Sequence, residues 1–570
     1  MKLLIFSICV MLTSLPASAQ NRYDIVIDEI MADPTPPVGL PNNEWIELRN
    51  TSATAINLQN WRIGDATSLS GPLPNFLLKP DSLVVICTSS AVAALSVFGA
   101  TISVTSFPSL DNEGDQLYLR APNGRIIHAV SYSSTWYHND LKKDGGWSLE
   151  MIDTKNPCTG SQNWTASTHP LGGTPGKKNA TDGINTDTKA PQVVNAYTTD
   201  NSTILLVFDE PVDRLSGATP AHYSINNGAP ITGASTLSPL FNTVQLKLGA
   251  PLVSGTVYTV TASLVQDCKG NAIASGATVR TGLPAAPVSG EWVINEILFN
   301  PRTNGYDYVE FFNNSSKILD ASRLYIANRN TSGAISSAKP LSAVPFYIFP
   351  GEYAVVTEDA ANLGLNYLVQ HPNGVFVIDA LPSFPDDDGD VVTLDGQGNN
   401  IDEVKYDHHW HFKLLADEEG VSLERIDAAA PSNDSGNWHS AASSAGYGTP
   451  TYKNSQSKAI TTADASITLS PLIFSPDNDG HDDILSIAYH FDEPGLVATI
   501  TVFDAAGHPV RNLVSNAICG TSGYWNWDGL SDTGARLPVG HYIIFTRLFS
   551  LGGKKKTDTQ TVTLARRIGG

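Results

Sequence analysis

Apolar residues recur at every second position in short runs of this chain, and the runs are bounded by Gly, Pro, Asn and Asp. That is the period of a strand with one face buried, not of a helix. Gln116-Leu117-Tyr118-Leu119 alternates, Pro122-Asn123-Gly124 turns, and residues 126–132 resume, which predicts a hairpin. Residues 391–394, a turn at 396–400 and residues 401–406 repeat the same arrangement. Residues 82–87 and 353–357 are unbroken apolar runs and read as buried strands. Further alternating runs lie at 204–208, 256–260, 499–503 and 542–545. No long segment of period 3.6 interrupts them, so the pattern predicts an all-β chain.

The runs are organised by a duplication. Ile27-Asp28-Glu29-Ile30 matches Ile294-Asn295-Glu296-Ile297, and Glu44-Trp45-Ile46-Glu47 matches Asp307-Tyr308-Val309-Glu310. Gly114-Asp115 matches Gly389-Asp390, and Trp136 matches Trp410. Ser148-Leu149-Glu150 matches Ser422-Leu423-Glu424, Asn163-Trp164 matches Asn437-Trp438, and Gly173-Thr174-Pro175 matches Gly448-Thr449-Pro450. The order is kept and the copies are separated by unrelated sequence, so this is a duplicated domain and not a solenoid. Polar linkers at 179–191, 281–290 and 454–465 isolate two further domains, each of a length that suits a seven-strand sandwich.

Composition narrows the function classes. The 570 residues are enough for about four domains. Hydrophobic residues are 41% and charged residues 16%, with 46 Gly and 35 Pro, which fits strands joined by turns. The net charge of −21 repels phosphates, and the one compact basic run is Lys554-Lys555-Lys556, so a nucleic-acid partner is not expected. Lys2, the apolar residues 3–15 and Ala17-Ser18-Ala19 predict a signal peptide (1–19) cleaved after Ala19, hence an extracellular or cell-surface location. No later apolar run approaches bilayer length, so no transmembrane segment is expected.

On the residues above, the duplicated unit resembles the lamin-tail domain family in its bacterial secreted branch, and the resemblance implies an immunoglobulin-like sandwich. The first copy also carries Trp61 and Gly173-Thr174-Pro175-Gly176. The second has no Trp at 319–326 and closes with Gly448-Thr449-Pro450-Thr451, which implies less need for φ freedom there than a required glycine would show. Val207-Phe208-Asp209-Glu210-Pro211-Val212, Tyr258-Thr259-Val260, and Asp267 with Gly270-Asn271 resemble the Ig-like modules of bacterial surface-layer proteins. Phe474-Ser475-Pro476-Asp477-Asn478-Asp479-Gly480, Trp527-Asp528-Gly529 and Gly540-His541-Tyr542 are similar to FlgD-like Ig modules at the ends of secreted Bacteroidota proteins. The chain end also resembles C-terminal sorting domains of type IX secretion. The expected architecture is four tandem immunoglobulin-like β-sandwiches: lamin-tail domain 1 at 20–180, an Ig-like domain at 188–283, lamin-tail domain 2 at 290–455 and a FlgD-like domain at 466–567.

Several groups are candidates for chemistry. Asp477, Asp479, Asp482 and Asp483 crowd around Gly480, a set of oxygens that suits calcium. Ser475 and Ser486 stand where an EF-hand needs acids, so the loop is not an EF-hand, and an Asx-rich turn is the alternative. Residues 386–390 and 111–115 are acidic around a shared Gly-Asp that suggests a turn or bulge. On a strand Asp407, His409 and His411 would share a face suited to a metal, but the first copy has Ser134, Thr135 and Tyr137 around its Trp. Glu29 with Glu47, and Glu296 with Glu310, have the look of a glycosidase carboxylate pair, yet their duplication favours a structural role. Cys87 and Cys158 lie in one domain and are both missing from its duplicate, as a disulfide predicts and as two independent substitutions also explain. Cys268 and Cys519 read as buried thiols. No GxSxG, HExxH or P-loop motif occurs.

The expected function is therefore a non-catalytic surface protein for adhesion, scaffolding or binding of protein or carbohydrate. A secreted metal-dependent hydrolase, or an accessory subunit of one, is the alternative. A third reading makes the last domain a sorting tail removed on export.

Overall fold

A computed structural model of the chain describes residues 20–274, 276–412, 415, 417–457, 466–476, 482–550 and 552–566. The expected signal peptide lies outside the described residues. The chain divides into two compact units, one of residues 1–252 and 258–281, the other of 253–257 and 282–570. Each unit holds one copy of the duplicated domain followed by a smaller sandwich, and the fold is all-β.

In copy 1 a six-stranded sheet runs in the order Trp164–Ala166, Leu149–Met151, Ile25–Met31, Trp45–Asn50, Leu83–Cys87, Thr101–Ser103. All pairs are antiparallel except the last. Its inner face (Ile46, Leu48, Val84, Ile86) packs with Trp61, Leu117 and Leu119 of the opposing side, whose sheet is Arg62–Gly64, Gly114–Arg120, Ile126–Ser133. Its outer face is also covered. Met31, Trp45, Val85 and Cys87 lie under Leu40, Ala91 and Leu95, the last from the short helix Val92–Leu95. Cover on both faces explains why every residue of Ile25–Met31 is buried. The register slips once. Ile27 pairs with Leu48 and Glu29 with Glu47, leaving Asp28 as the extra residue of a bulge.

Copy 2 repeats this plan as Val375–Val377, Tyr353–Thr357, Tyr308–Asn313, Trp292–Leu298, Leu423–Arg425, Trp438–Ser440, with the same slip at Asn295. Its outer face is covered by Leu363 and Tyr367, at and just beyond the helix Ala360–Asn366. The Gly-Asp pairs open strands instead of making a bulge. Gly389 faces Tyr406 across the strand pair, and a Cβ there would sit 2.5 Å from the Tyr406 hydroxyl. The closing turn corrects one expectation. Thr451 has φ +75° and Gly176 has φ +76°, so both copies need the left-handed conformation and the threonine is held there by its surroundings.

The smaller sandwich of the first unit sets the sheet Val193–Asp200, Thr203–Phe208, Thr243–Leu248, Ile231–Thr236 against Tyr223–Ile225, Tyr258–Ala262, Ala277–Thr281. Arg22 joins it to copy 1, donating to the carbonyls of Val212 and Leu240 and lying over the Phe241 ring. A disulfide joins them too. The expected Cys87–Cys158 bridge is not formed: Cys158 is bonded to Cys268, Cα to Cα 6.1 Å, and Cys87 and Cys519 are buried free thiols. The sheet itself separates the expected pair. Cys87 points to the outer face, whereas Cys158 follows Pro157, whose carbonyl meets His128 of the opposing sheet.

In the second unit the last sandwich encloses Phe474, Trp527 and Tyr542. It is fastened to copy 2 by the cluster Phe412, Val497 and Ile518, by a hydrogen bond from Thr521 N–H to the Ser455 carbonyl (2.8 Å), and by Ser444 Oγ with the Tyr489 hydroxyl (2.8 Å).

Candidate functional site

The tempting carboxylate pairs prove to be trios. Glu29 sits opposite both Glu47 and Glu150 in the sheet register, and the three carboxylates lie on the outer face, fully buried. In copy 2 Glu296, Glu310 and Glu424 hold the same places. Glu150 and Glu424 had a signal in the sequence, the Ser-Leu-Glu match of the duplication.

Each trio is sealed by the Gly-Thr-Pro segment, which crosses the outer face as a strap. Thr174 N–H donates to Glu29 Oε1 (2.7 Å) and Ser148 Oγ to the same oxygen (2.5 Å). Gly176 N–H donates to Glu47 Oε2 (2.5 Å). Thr181 donates to Glu150 Oε2 from its N–H (2.9 Å) and its hydroxyl (2.8 Å). Asn179 Nδ2 pins the strap to the carbonyls of Asp28 and Met151. In copy 2 Thr449, Thr451, Asn454, Ser455 and Gln456 play the same parts, and the Tyr308 hydroxyl adds a donor to Glu296 Oε1 (2.5 Å).

Thr174 Oγ1 lies 3.1 Å from Glu29 Oε2 and 3.0 Å from Glu150 Oε1, so the strap hydroxyl bridges the two carboxyls. Burial, then the charge of Glu150, pushes Glu29 up to about 8. Thr449 Oγ1 bridges Glu296 and Glu424 at 2.8 Å each, and burial, then Glu296, pushes Glu424 up to about 8. These groups are sealed from water and committed to hydrogen bonds. Their chemistry is that of a polar seam that holds the strap.

The bulge residue differs between copies. Asn295 Nδ2 donates to Glu310 Oε1 (2.8 Å). Its counterpart Asp28 leaves both its oxygens, and Glu47 Oε1, buried without a hydrogen-bond partner. Arg49 is 3.9 Å away, and burial raises Asp28 to about 7. The backbone N–H before the bulge is also met differently. His128 Nδ1 accepts from Ile27 N–H (2.9 Å), whereas Asp402, paired with Arg425, accepts from Ile294 N–H (2.9 Å). Burial lowers His128 to about 4, so the ring is neutral and accepts.

The remaining candidates fall elsewhere. Asp477 and Asp479 lie outside the described residues. The Asp482 carbonyl accepts from Ser475 N–H (2.8 Å). Asp407, His409 and His411 do not share a strand face, because the strand ends at Asp407 and a 3-10 turn follows at His408–Trp410. Asp407 instead caps that turn, accepting from His409 N–H (2.8 Å). His411 turns inward to Ser440 Oγ (2.9 Å), and His408 joins Asp407 and His409 in a group whose ligand atoms lie within 4.8 Å of one another. A second such group comprises Asp187, Glu210 and Asp267. Two of its members belong to motifs that carry the Ig-like resemblance, and neither motif marks them as ligands in the sequence.

Residues 18–134 match the Lamin Tail Domain family and residues 187–281 match the bacterial Ig-like domain family, so the chain carries one domain of each kind. No curated protein matches the chain. Among solved structures it is similar to the N-terminal part of the bacterial S-layer protein SbsC, at 16% identity over 29% of this chain and 40% of that one, with TM-score 0.17. It thus spans less than half of that protein. It is also similar to a tetra-tandem repeat from the extending region of a large adhesion protein (11% identity, 95% of this chain and 99% of that one, TM-score 0.13). A third is PorZ, a surface component of the type-IX secretion system of Porphyromonas gingivalis (10% identity, 92% and 74%, TM-score 0.17). Likenesses of this size carry no functional inference.

Proposed function

We propose that this is an exported, non-catalytic surface protein whose two domain pairs present loops and edge strands for adhesion, scaffolding or the binding of a protein or carbohydrate. One observation supports this above the rest: the carboxylate sets present in both copies are sealed under straps and serve the fold, so they are closed to a substrate. The lamin-tail and Ig-like family matches and the amino-terminal signal pattern agree with it.

The test is to locate the native chain by protease shaving of intact cells, with intact mass from the surface, periplasmic and medium fractions, and to assay the same material for phosphodiesterase and glycosidase turnover with and without zinc or manganese. The reading expects a surface or medium form starting at Gln20, with no turnover. Stoichiometric zinc or manganese with turnover would establish the hydrolase alternative. A mature form lacking roughly the last 100 residues (the length prior for one domain) would make the final sandwich a sorting tail and place the binding work on the first three domains.

A further inference from the structure

The junction inside the first unit holds three carboxylates from three separate segments. Asp187 lies on the linker after copy 1, Glu210 follows the strand Thr203–Phe208, and Asp267 lies on the turn before Asn271. One oxygen from each falls within 4.8 Å of the others. Two of the three are anchored. Asp187 Oδ2 accepts from Thr159 Oγ1 (2.9 Å) and Oδ1 from Lys189 N–H (3.0 Å). Asp267 Oδ1 accepts from the N–H groups of Lys269 (2.8 Å) and Asn271 (2.9 Å), and Oδ2 from Asn271 Nδ2 (2.7 Å).

Glu210 is different. It is only 9% exposed, and no described residue donates a hydrogen bond to its carboxylate. The neighbouring ammonium groups are engaged elsewhere, Lys189 Nζ with Asp209 (2.7 Å) and Lys269 Nζ with the Lys155 carbonyl (3.1 Å). A glutamate that is nine-tenths covered, receives no hydrogen bond among the described residues and meets two more carboxylates lacks a positive charge.

We propose that Asp187, Glu210 and Asp267 form a calcium site that ties the first two domains together. The donors are all oxygens, and their spread suits an ion with ligands at about 2.3–2.6 Å. Each anchored carboxylate keeps lone pairs free, and both Glu210 oxygens are free. The site adjoins the disulfide, since Asp267 precedes Cys268 and Thr159 follows Cys158. Burial and then the charges of Asp187, Asp267 and Asp209 push Glu210 up to about 8, the direction expected of a carboxylate that lacks a counter-charge.

The test is isothermal titration of calcium chloride into the EGTA-stripped full chain near neutral pH. The proposal expects a bound equivalent of calcium. It expects Glu210→Gln to lose that equivalent while melting in EGTA at least as high as the native chain. Asp479→Asn, which alters the acidic run at 477–483, should keep it. If Glu210→Gln does not fold, Asp187→Asn on the linker must lose the same equivalent. Full calcium stoichiometry in the folded Glu210 variant, or in its Asp187 replacement, overturns the proposal, as does a native chain that takes up no calcium.

Discussion

The two copies of the duplicated domain bury the same three glutamates under the same strap and differ at several positions around them. At the bulge copy 1 has Asp28 with orphaned oxygens and copy 2 has Asn295 bonded to Glu310. Ahead of the bulge one copy uses a neutral His128 and the other an Asp402–Arg425 pair. At the strap's left-handed position one has Gly176 and the other Thr451. Copy 1 is tied to its neighbour by a disulfide, whereas copy 2 meets its neighbour through packing and hydrogen bonds. The shared element is thus the carboxylate trio and its strap, and the surrounding positions tolerate several solutions to the same hydrogen-bonding problem.

The comparison is most strongly broken by removing the cross-link. Cys158→Ser with Cys268→Ser deletes a bridge spanning 110 residues, and a loss of about 4 kcal/mol is expected. Urea unfolding should show the first unit's transition moved to lower urea and the second's unchanged. Next comes the strap. In Gly176→Thr the added Cβ would fall 2.5 Å from Gly99 Cα and 2.8 Å from the Phe98 carbonyl oxygen, costing about 3 kcal/mol. Thr451→Gly relieves a left-handed threonine but loses the hydrogen bond from His371 N–H to its hydroxyl (3.0 Å), so melting should change by less than about 0.5 kcal/mol. Equal costs for the two exchanges would show that the close approach of Gly99 does not set the two straps apart.

Exchanging the bulge residues should move the copies in opposite directions. Asn295→Asp removes the bond to Glu310 and buries a second acid, for a loss of about 2 kcal/mol. Asp28→Asn can donate to Glu47 and should gain about 1 kcal/mol at pH 8, read from the same unfolding curves. The last effect is a dependence on pH. Glu29 and Glu424 are each raised to about 8, so their contribution is full below the unfolded carboxylate range and is lost as pH rises towards about 8. Asp28, raised to about 7, adds to this in the first unit, and Asp307, raised to about 7, adds to it in the second. Between about pH 6 and 7 Asp28→Asn should spare the first unit up to about 1.4 kcal/mol of loss and leave the second unit's loss unchanged.

The strands and the duplication were readable because alternation and order survive in the residues. The hairpin of Gly114–Arg120 with Ile126–Ser133 stands where the Pro122-Asn123-Gly124 turn predicted it. What escaped depends on which side of a sheet a residue faces across long separations. Cys87 and Cys158 share a domain but not a face, and the true partner, Cys268, belongs to the next domain. The Thr451 substitution suggested a relaxed turn because a sequence records residue type and not φ. Glu29 and Glu47 were visible as a pair, but their burial required knowing that the outer face is covered by a helix and a strap. Asp187, Glu210 and Asp267 are strung over 81 positions of ordinary loop sequence, and only the fold brings them together.

The strap also sets an order in time. Thr174 is 145 residues beyond the Glu29 that it satisfies, and Thr449 is 153 beyond Glu296. A chain that emerges amino-terminus first presents Glu29 and Glu47 long before the strap donors that lie 145 and 129 residues further on. Until then they stay hydrated and ionised, and closing the sheet over them would strand unpaired charge. Each copy is therefore poised to complete itself last at its own far end, where the residues of the next domain are already following.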